Sequence, residues 1–506
     1  AGTGSAVDRP RTLPAEAPRG DRQALLMDIW REVLELDEGD VAVDDDFFDV
    51  GGDSLAAAEL ATRVDAAFGV HLPVGALLED PTVTGMLDAV EARRGDAGDT
   101  PSPVGKPDLR AEAVLDPGVV PDPTDRPRTL PDARHVFLTG ATGFLGTFLL
   151  DALLSRTDAT VHCLVRARGD DPLEPVRDSL GRHGLAGSLD AGRVVPVPGD
   201  LEAPLLGLSD DAFGDLARRV DLIVHTAARV NLVYPYRLLR AANVSGTREV
   251  LRLACRGPAA PVAHVSTNGI FPPDGRRCLE DTDLDTLVDA RADGYGQSKW
   301  VAEKLVGEAA GRSLPVCVLR PGNIAGHSRT GSFNPRDFLG ALLAESVRVG
   351  AAPRIEGWRL EMTPVDAVCD AILRLLSTPD PYGRVFHLAE PDPVPAQTAF
   401  DWLEEMGYEL RRLPYPRWVE EWRSAPPKGA VDHEVLGGVV QTAAPDGNEL
   451  WDGNVYDDRN TRRALGADAV RRPALDAAVL RTYLRSFARA GLVDEPPRSV
   501  VRAGGG

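Results

Sequence analysis

Thr139-Gly140-Ala141-Thr142-Gly143-Phe144-Leu145-Gly146 joins a short β-branched run, 135–139, to a stretch of helical period, 144–155. A glycine turn in that strand-to-helix setting is what the pyrophosphate of a dinucleotide requires. Gly140 permits the tight turn, Gly143 lets backbone approach the phosphates, and Gly146 lets helix and strand pack closely, with the anion at the helix N-terminus. With 50 glycines in the chain, the spacing means little without that setting. Runs at 160–165, 193–197, 221–226, 262–266, 316–319 and 385–388 also read as strands, with helical stretches such as 238–254 and 295–310 between them. Buried strand alternating with helix predicts an α/β Rossmann fold, a doubly wound parallel sheet. Past about Gly326 the alternation degrades and Trp358, Trp402, Trp418, Trp422 and Trp451 accumulate, which predicts a smaller C-terminal substrate subdomain. These aromatics read as core more readily than as pocket lining.

About twenty residues past the glycine turn, an NAD-selective chain places an acid for the ribose 2′-hydroxyl. Arg166 and Arg168 stand there instead, and guanidinium groups suit a 2′-phosphate, so NADP is expected over NAD. Asp200-Leu201, directly after the third strand, is placed to contact the adenine, although a solvated loop aspartate fits the same position. Tyr295-Gly296-Gln297-Ser298-Lys299 carries the main chemical signal. Positions i and i+4 share a helix face, so the ammonium is expected beside the phenol, lowering its pKa for proton donation and also holding the nicotinamide ribose. With four lysines and 8 tyrosines in the chain, chance supplies roughly 0.06 such pairs. The fifth strand ends Val265-Ser266-Thr267-Asn268, and a hydroxyl at that carboxyl edge faces the ligand crevice. Thr267, or in second place Ser266, is expected to polarise a substrate carbonyl beside Tyr295, with capping of the next segment as the competing role. Asn243, inside a helix, either shapes the site through backbone bonds or relays protons, and the structural role is favoured.

Residues 96–134 are rich in proline, from Pro101 to Pro131, and read as a linker whose less polar interior, 109–120, partly packs on the larger domain. The linker separates a short module, 18–95, from a long one, 135–506, the latter mainly Rossmann core over 135–325 and mainly C-terminal subdomain over 326–506. In the short module, Leu26, Ile29, Trp30, Val33 and Leu36 recur at helical spacing, as do Leu60, Val64, Ala67 and Phe68 after Ser54. A further helix is expected to start at Asp80-Pro81, an N-cap with proline at the first helical position, and to bury Val83, Leu87 and Val90. The module reads as a small helical bundle.

The order T-G-A-T-G-F-L-G, then Ser/Thr, then Y-x-x-x-K resembles the extended short-chain dehydrogenase/reductase family. More narrowly, His225-Thr226-Ala227-Ala228-Arg229-Val230-Asn231, Asn243-Val244-Ser245-Gly246-Thr247 and Leu319-Arg320-Pro321-Gly322-Asn323-Ile324 resemble the terminal thioester reductase domains of nonribosomal peptide synthetases and carboxylic acid reductases, over roughly 108–490. The resemblance implies a catalytic set of Thr267, Tyr295 and Lys299. It implies cofactor contacts from Gly140, Thr142, Gly143, Phe144, Leu145, Gly146, Arg166, Arg168, Asp200, Leu201, Ala227 and Lys299, and from Pro321, Asn323 and Ile324 along the nicotinamide side. In the short module, Phe47-Phe48-Asp49-Val50-Gly51-Gly52-Asp53-Ser54-Leu55 resembles the attachment sequence of peptidyl carrier proteins. That implies a small all-α four-helix carrier bundle with 4′-phosphopantetheine esterified to Ser54 by a phosphopantetheinyl transferase; the alternative for Ser54 is a simple N-cap. Asp44, Asp45, Asp46, Asp49, Asp53 and Glu59 near it form either a docking surface or a solvated face.

Together the two resemblances imply reductive release. The carrier presents an acyl or peptidyl thioester, the linker supplies a high effective concentration, and NADPH transfers hydride while Thr267 and Tyr295 stabilise the oxyanion. The hemithioacetal then expels the carrier thiolate as an aldehyde forms, and a second round gives an alcohol. Arg9-Pro10-Arg11-Thr12-Leu13-Pro14 resembles the exit linker of an adenylation domain, so upstream adenylation and condensation domains of one synthetase are expected partners. A nucleotide-sugar epimerase or dehydratase shares the cofactor fold but favours an acid where Arg166 stands and has no use for Ser54. A catalytically silent docking scaffold is opposed by the complete catalytic set, and a carrier for storage alone by the length of the second domain.

Composition bounds these readings. Lys+Arg 56 against Asp+Glu 77 gives a net charge of -21, which argues against nucleic-acid and anionic-membrane partners. No apolar run approaches a membrane span and residues 1–20 lack a signal-like apolar core, so a cytoplasmic protein is expected. Five scattered cysteines and nine histidines form no metal-ligand spacing, so no metal is expected.

Overall fold

The structure is a computed structural model that describes residues 18–34, 36–37, 41–47, 50–51, 54–70, 80–94, 107–122, 127–167, 169–189, 192–232, 234–288, 293–425, 436, 440, 453–466 and 475–495. Two compact units divide the chain; one takes in residues up to Pro107, with 232–235 and 433–442 assigned to it as well, and the other begins at Asp108.

In the N-terminal unit, α1 (Arg19–Leu34), α2 (Ser54–Phe68) and α3 (Val83–Arg94) are described, and the fourth helix of the expected bundle lies outside the described residues. Leu26, Ile29 and Trp30 of α1 meet Leu60 and Val64 of α2 and Val83, Leu87 and Val90 of α3 in one apolar core. Trp30 seals it, edge-on to Phe47 with ring centroids 5.1 Å apart. The start of α3 differs from the expected Asp80-Pro81. Thr82 is the cap: its Oγ1 accepts the Gly85 N–H at 2.9 Å and donates to Asp80 Oδ1 at 2.9 Å. A hydroxyl that bonds in both directions there displaces the start by two residues, to Val83.

The larger unit is built on a seven-stranded parallel sheet of β1 (His135–Thr139), β2 (Thr160–Val165), β3 (Val194–Pro198), β4 (Leu222–His225), β5 (Val262–Val265), β6 (Val316–Arg320) and β7 (Arg384–His387), in the order β7-β6-β5-β4-β1-β2-β3. The order reverses at β1, and beside it β1 pairs with β4, Thr139 opposite His225, which opens the ligand crevice at the carboxyl ends of these strands. Along β1, Phe137 faces one apolar layer while Val136 and Leu138 face the other. Burial on both faces is why the central strands read as nearly continuous apolar runs. The helices that carry the site are α4 (Phe144–Arg156), α5 (Gly246–Cys255), which continues a π turn at Ala241–Ser245, and α6 (Gly294–Gly311).

The packing of two segments bears on the boundaries. The larger compact unit takes in the chain from Asp108, as the expected packing of the linker interior requires. Leu109, Leu115 and Val119 pack into one apolar layer and Leu130 and Ala133 into the other. Arg312 clamps this segment through the carbonyls of Asp116 at 2.6 Å, Val119 at 2.8 Å and Leu115 at 2.9 Å. Prolines interrupt helix but do not prevent an extended segment from burying its apolar side chains. Beyond Gly326 the chain returns to the Rossmann layer, as the strand expected over 385–388 implies: the Val365–Leu376 helix packs its apolar face on α4 and is followed by β7. Of the tryptophans, Trp358, Trp418 and Trp422 are core residues and Trp451 lies outside the described residues. Among the described residues no helix is long and apolar enough to cross a membrane.

Candidate active site

The glycine turn has the geometry its sequence demands. Gly140 has φ +77°, and a Cβ there would lie 2.7 Å from Thr226 Oγ1 and 2.8 Å from Ala227 N. At Gly146 a Cβ would lie 1.9 Å from the Gly140 carbonyl oxygen, whereas at Gly143 its nearest neighbour is 3.4 Å away. Gly143 is the N-cap of α4 and no side chain caps that terminus. The first N–H groups of the helix and the positive end of its dipole therefore face the crevice, a donor set that fits a pyrophosphate. Ser179 donates to the Thr142 carbonyl at 3.0 Å, Ala227 N–H donates to Thr139 Oγ1 at 3.2 Å, and Phe144 packs edge-on to Phe148 at 5.3 Å. Leu145 is partly buried against the apolar layer beneath. Gly146→Ala is expected to push α4 off the turn, costing about 1–3 kcal/mol. Thermal melting and dinucleotide titration check it, with a lowered Tm and at least a ten-fold weaker NADPH Kd expected.

At the end of β2, Arg166 is engaged by acids. Its Nε donates to Asp200 Oδ1 at 3.2 Å and its Nη2 to Glu202 Oε1 at 2.8 Å, and Glu202 also receives Arg229 at 3.1 Å. Asp200, expected against adenine, spends the same oxygen on Arg166 and on the Glu202 N–H at 3.0 Å. Leu201 is buried in the core, its side chain against Gly246. Arg168 lies outside the described residues.

Thr267, Tyr295 and Lys299 come together where β5 ends against α6. The Thr267 hydroxyl accepts the Gly269 N–H at 3.0 Å, capping the next turn, and lies close enough to the Tyr295 phenol to favour its ionised form. Capping and chemistry are therefore not exclusive, since the oxygen accepts one bond while the proton remains to donate. Ser266 is turned away, donating to Glu303 Oε2 at 2.6 Å. Lys299 is buried and donates to the Val265 carbonyl at 2.9 Å. The expectation that the lysine lowers the phenol pKa is corrected. Burial pushes Tyr295 up to about 12, opposed only by the Thr267 side chain. Burial likewise brings Lys299 down to about 8, with Glu303 opposing. Desolvation disfavours the charged form of each. Tyr295 is thus a fully protonated phenol at neutral pH, which suits a proton donor.

Asn243 sits in the π turn, an irregularity frequent at functional sites. Its Oδ1 accepts the Arg229 N–H at 2.7 Å, and its Nδ2 donates to the Arg229 carbonyl at 3.0 Å and to Ser298 Oγ at 2.9 Å. Both amide hydrogens are committed, so the side chain ties the loop after β4 to the Tyr295 helix. The Pro321–Ile324 turn lies beside the end of β5, with Asn268 N–H donating to the Pro321 carbonyl at 2.9 Å and Ile324 pairing with Thr363. Behind it, Glu361 accepts the Asn323 N–H, the Thr363 hydroxyl at 2.6 Å and the Glu390 N–H at 3.0 Å. Asp337 accepts Asn323 Nδ2 at 3.4 Å. Burial pushes Glu361 up to about 7 and Asp337 to about 6. Neither acid was singled out from the sequence, and only the fold brings these distant residues to the turn. Glu303 had a signal, lying one further i+4 step beyond Tyr295 and Lys299. In the smaller unit Ser54 is the first residue of α2, and its side chain lies outside the described residues.

Comparison with known proteins agrees with this architecture. Residues 138–372 match the family model described as male sterility protein, and residues 24–90 that described as phosphopantetheine attachment site. The chain is 40% identical, with a TM-score of 0.69, to the crystal structure of the terminal R domain from the myxalamid PKS-NRPS biosynthetic pathway, covering 77% of this chain and 99% of that one. A thiolation-reductase di-domain from an archaeal nonribosomal peptide synthetase, 20% identical, shares the fold over 94% of this chain and 99% of its own, with a TM-score of 0.68. Among curated proteins, a glycine betaine reductase of Emericella nidulans is 42% identical over 486 residues, 93% of this chain and 37% of that protein. A linear gramicidin synthase polypeptide of Brevibacillus parabrevis is 35% identical over 489 residues, 94% of this chain and 9% of that protein. The chain thus spans little more than a third of the one and about a tenth of the other. It belongs to the family of terminal reductase domains of nonribosomal peptide synthetases, oxidoreductases with a short-chain dehydrogenase-like fold, here preceded by a carrier domain. Its two domains imply NADPH and 4′-phosphopantetheine as cofactors.

Proposed function

We propose that this didomain releases an acyl or peptidyl chain from its own carrier, held as a thioester on phosphopantetheine at Ser54, by reducing it to an aldehyde. The observation that supports this reading most is the convergence of Thr267, Tyr295 and the buried Lys299 where β5 ends against α6, in a chain that also carries a phosphopantetheine domain. In balance, one thioester, one NADPH and one proton give one aldehyde, one free arm thiol and NADP+; a C–H bond forms and the C–S bond breaks. NADPH supplies the hydride that reaches the carbonyl carbon. The chain's own residues act at the carbonyl oxygen, where the Thr267 and Tyr295 hydroxyls donate as negative charge develops, in an environment where such bonds gain strength. Tyr295 holds the proton that the oxygen takes up. Lys299, anchored to the Val265 carbonyl, supplies positive charge beside it. A phosphopantetheinyl transferase loads Ser54, and adenylation and condensation domains upstream choose the acyl group. Neither nucleic acid nor a membrane takes part, and the setting is the cytoplasm.

A soluble acyl-pantetheine thioester tests the reading with the full chain. NADPH absorbance should fall in step with aldehyde trapped as its hydrazone; bound NADPH that is never oxidised across a range of acyl chains contradicts it. The 2′-phosphate is assigned to Arg166. Its guanidinium is more than half exposed, so the loss in Arg166→Ala is modest, about ten-fold in NADPH Kd with NADH little changed. Equal weakening of both dinucleotides would assign the phosphate elsewhere.

A further inference from the structure

We propose that Glu303 is a positioning residue for this reduction, a single buried carboxylate that holds the Thr267 strand end in register and stands one helical turn beyond Lys299 as its counter-charge. The inference rests on the reductase reading above. Tyr295, Lys299 and Glu303 stand at i, i+4 and i+8 on one face of α6. Glu303 is 4% exposed and accepts Ser266 Oγ at 2.6 Å and Arg320 Nε at 3.1 and 3.2 Å. Ser266 lies between Val265, whose carbonyl receives Lys299, and Thr267, whose hydroxyl meets Tyr295. A carboxylate that fixes Ser266 therefore fixes the neighbours on both sides of it in the chain.

Arg320 secures the carboxylate from β6. Its Nη1 donates to His387 Nε2 at 3.1 Å, and the His387 Nδ1–H donates to the Asp457 carbonyl at 2.8 Å, which fixes the ring tautomer. Phe271 covers the guanidinium at 5.3 Å. Facing Lys299 are His225 from β4 and His264 from β5, both held neutral by burial, and on its own helix Tyr295, which stays protonated. Glu303 is the anion whose field opposes the loss of the buried ammonium proton. Breaking that field while preserving shape should make the lysine a weaker base.

The test is the pH profile of kcat/KM for a soluble acyl-pantetheine thioester with NADPH, on the full chain. Wild type should lose activity through an alkaline limb near pH 8 as Lys299 deprotonates. Glu303→Gln should move that limb down by roughly one pH unit, a fall of about five-fold at pH 8, with NADPH Kd unchanged. Ser266→Ala, which keeps the charge, should lower kcat about ten-fold at every pH and leave the limb in place. A Glu303→Gln limb that coincides with wild type, or a Ser266→Ala enzyme with wild-type kcat, overturns the proposal. Should Glu303→Gln fail to fold by circular dichroism, Glu303→Asp takes its place: charge retained at shorter reach should give reduced kcat with the limb still near pH 8, and a displaced limb overturns the charge assignment. Wild type that binds NADPH but reduces no thioester overturns the reductase reading instead, a result told apart by the absence of any profile.

Discussion

Ser54→Ala is expected to abolish loading of the phosphopantetheine arm, with no mass gain on treatment with a promiscuous transferase and coenzyme A. The attachment is an ester to one hydroxyl, so the effect is all or none. The carrier core is built from residues such as Trp30, Leu60 and Val64, and α2 persists beyond its first residue, so the variant should stay folded. The reductase unit has its own two apolar layers, and the variant should still bind NADPH and reduce a soluble thioester at the wild-type rate. Intact mass spectrometry and the soluble assay read the two halves separately. A mass gain on the variant would place the arm on another residue.

Tyr295→Phe is expected to lower kcat by about 10²–10⁴-fold, the usual contribution of a positioned proton donor. Phenylalanine keeps the ring and removes only the hydroxyl that lies close to Thr267. The glycine turn and the uncapped α4 terminus are untouched, so NADPH Kd should change by less than about two-fold, because the loss falls in the transition state alone. Stopped-flow reduction and fluorescence titration distinguish the two effects. Undiminished turnover would remove Tyr295 from the reaction.

The parallel sheet was legible because its central strands are buried on both faces and therefore read as apolar runs, and β1 and β2 fall where the sequence puts them. The long helix expected over 238–254 was not legible in its detail: a π turn interrupts it at Ala241–Ser245, where Asn243 reaches the loop after β4. Hydrophobic periodicity does not distinguish an α turn from a π turn when the same side chains stay buried. Within the proline-rich stretch the less polar interior packs where its sequence suggests, Leu109, Leu115 and Val119 burying against the larger unit.

The site divides along the same line. Tyr295 and Lys299 are a local pair, four residues apart on one helix, so spacing alone brings them together. Their charge states were not legible, because burial comes from strands and helices far away in the chain and pushes the phenol up and the ammonium down. The acids behind the site followed the same logic. Glu361 reaches the Asn323 turn across the sheet end, and Glu202 joins Arg166 to Arg229 from a loop after β3. No local pattern encodes such contacts, whereas Ser54 and the glycine turn are encoded in consecutive residues.

A single-turnover experiment tests the central claim most directly: Ser54 is converted to an acyl-phosphopantetheine with a promiscuous transferase, NADPH is added, and absorbance, product and intact protein mass are followed together. Reductive release predicts loss of the acyl mass with the arm retained, one aldehyde and one NADPH oxidised per carrier; an alcohol with two NADPH oxidised extends the same chemistry to four electrons. An acyl group that stays on the carrier through a range of chains while NADPH is bound, or leaves as a free acid with NADPH unconsumed, contradicts the account.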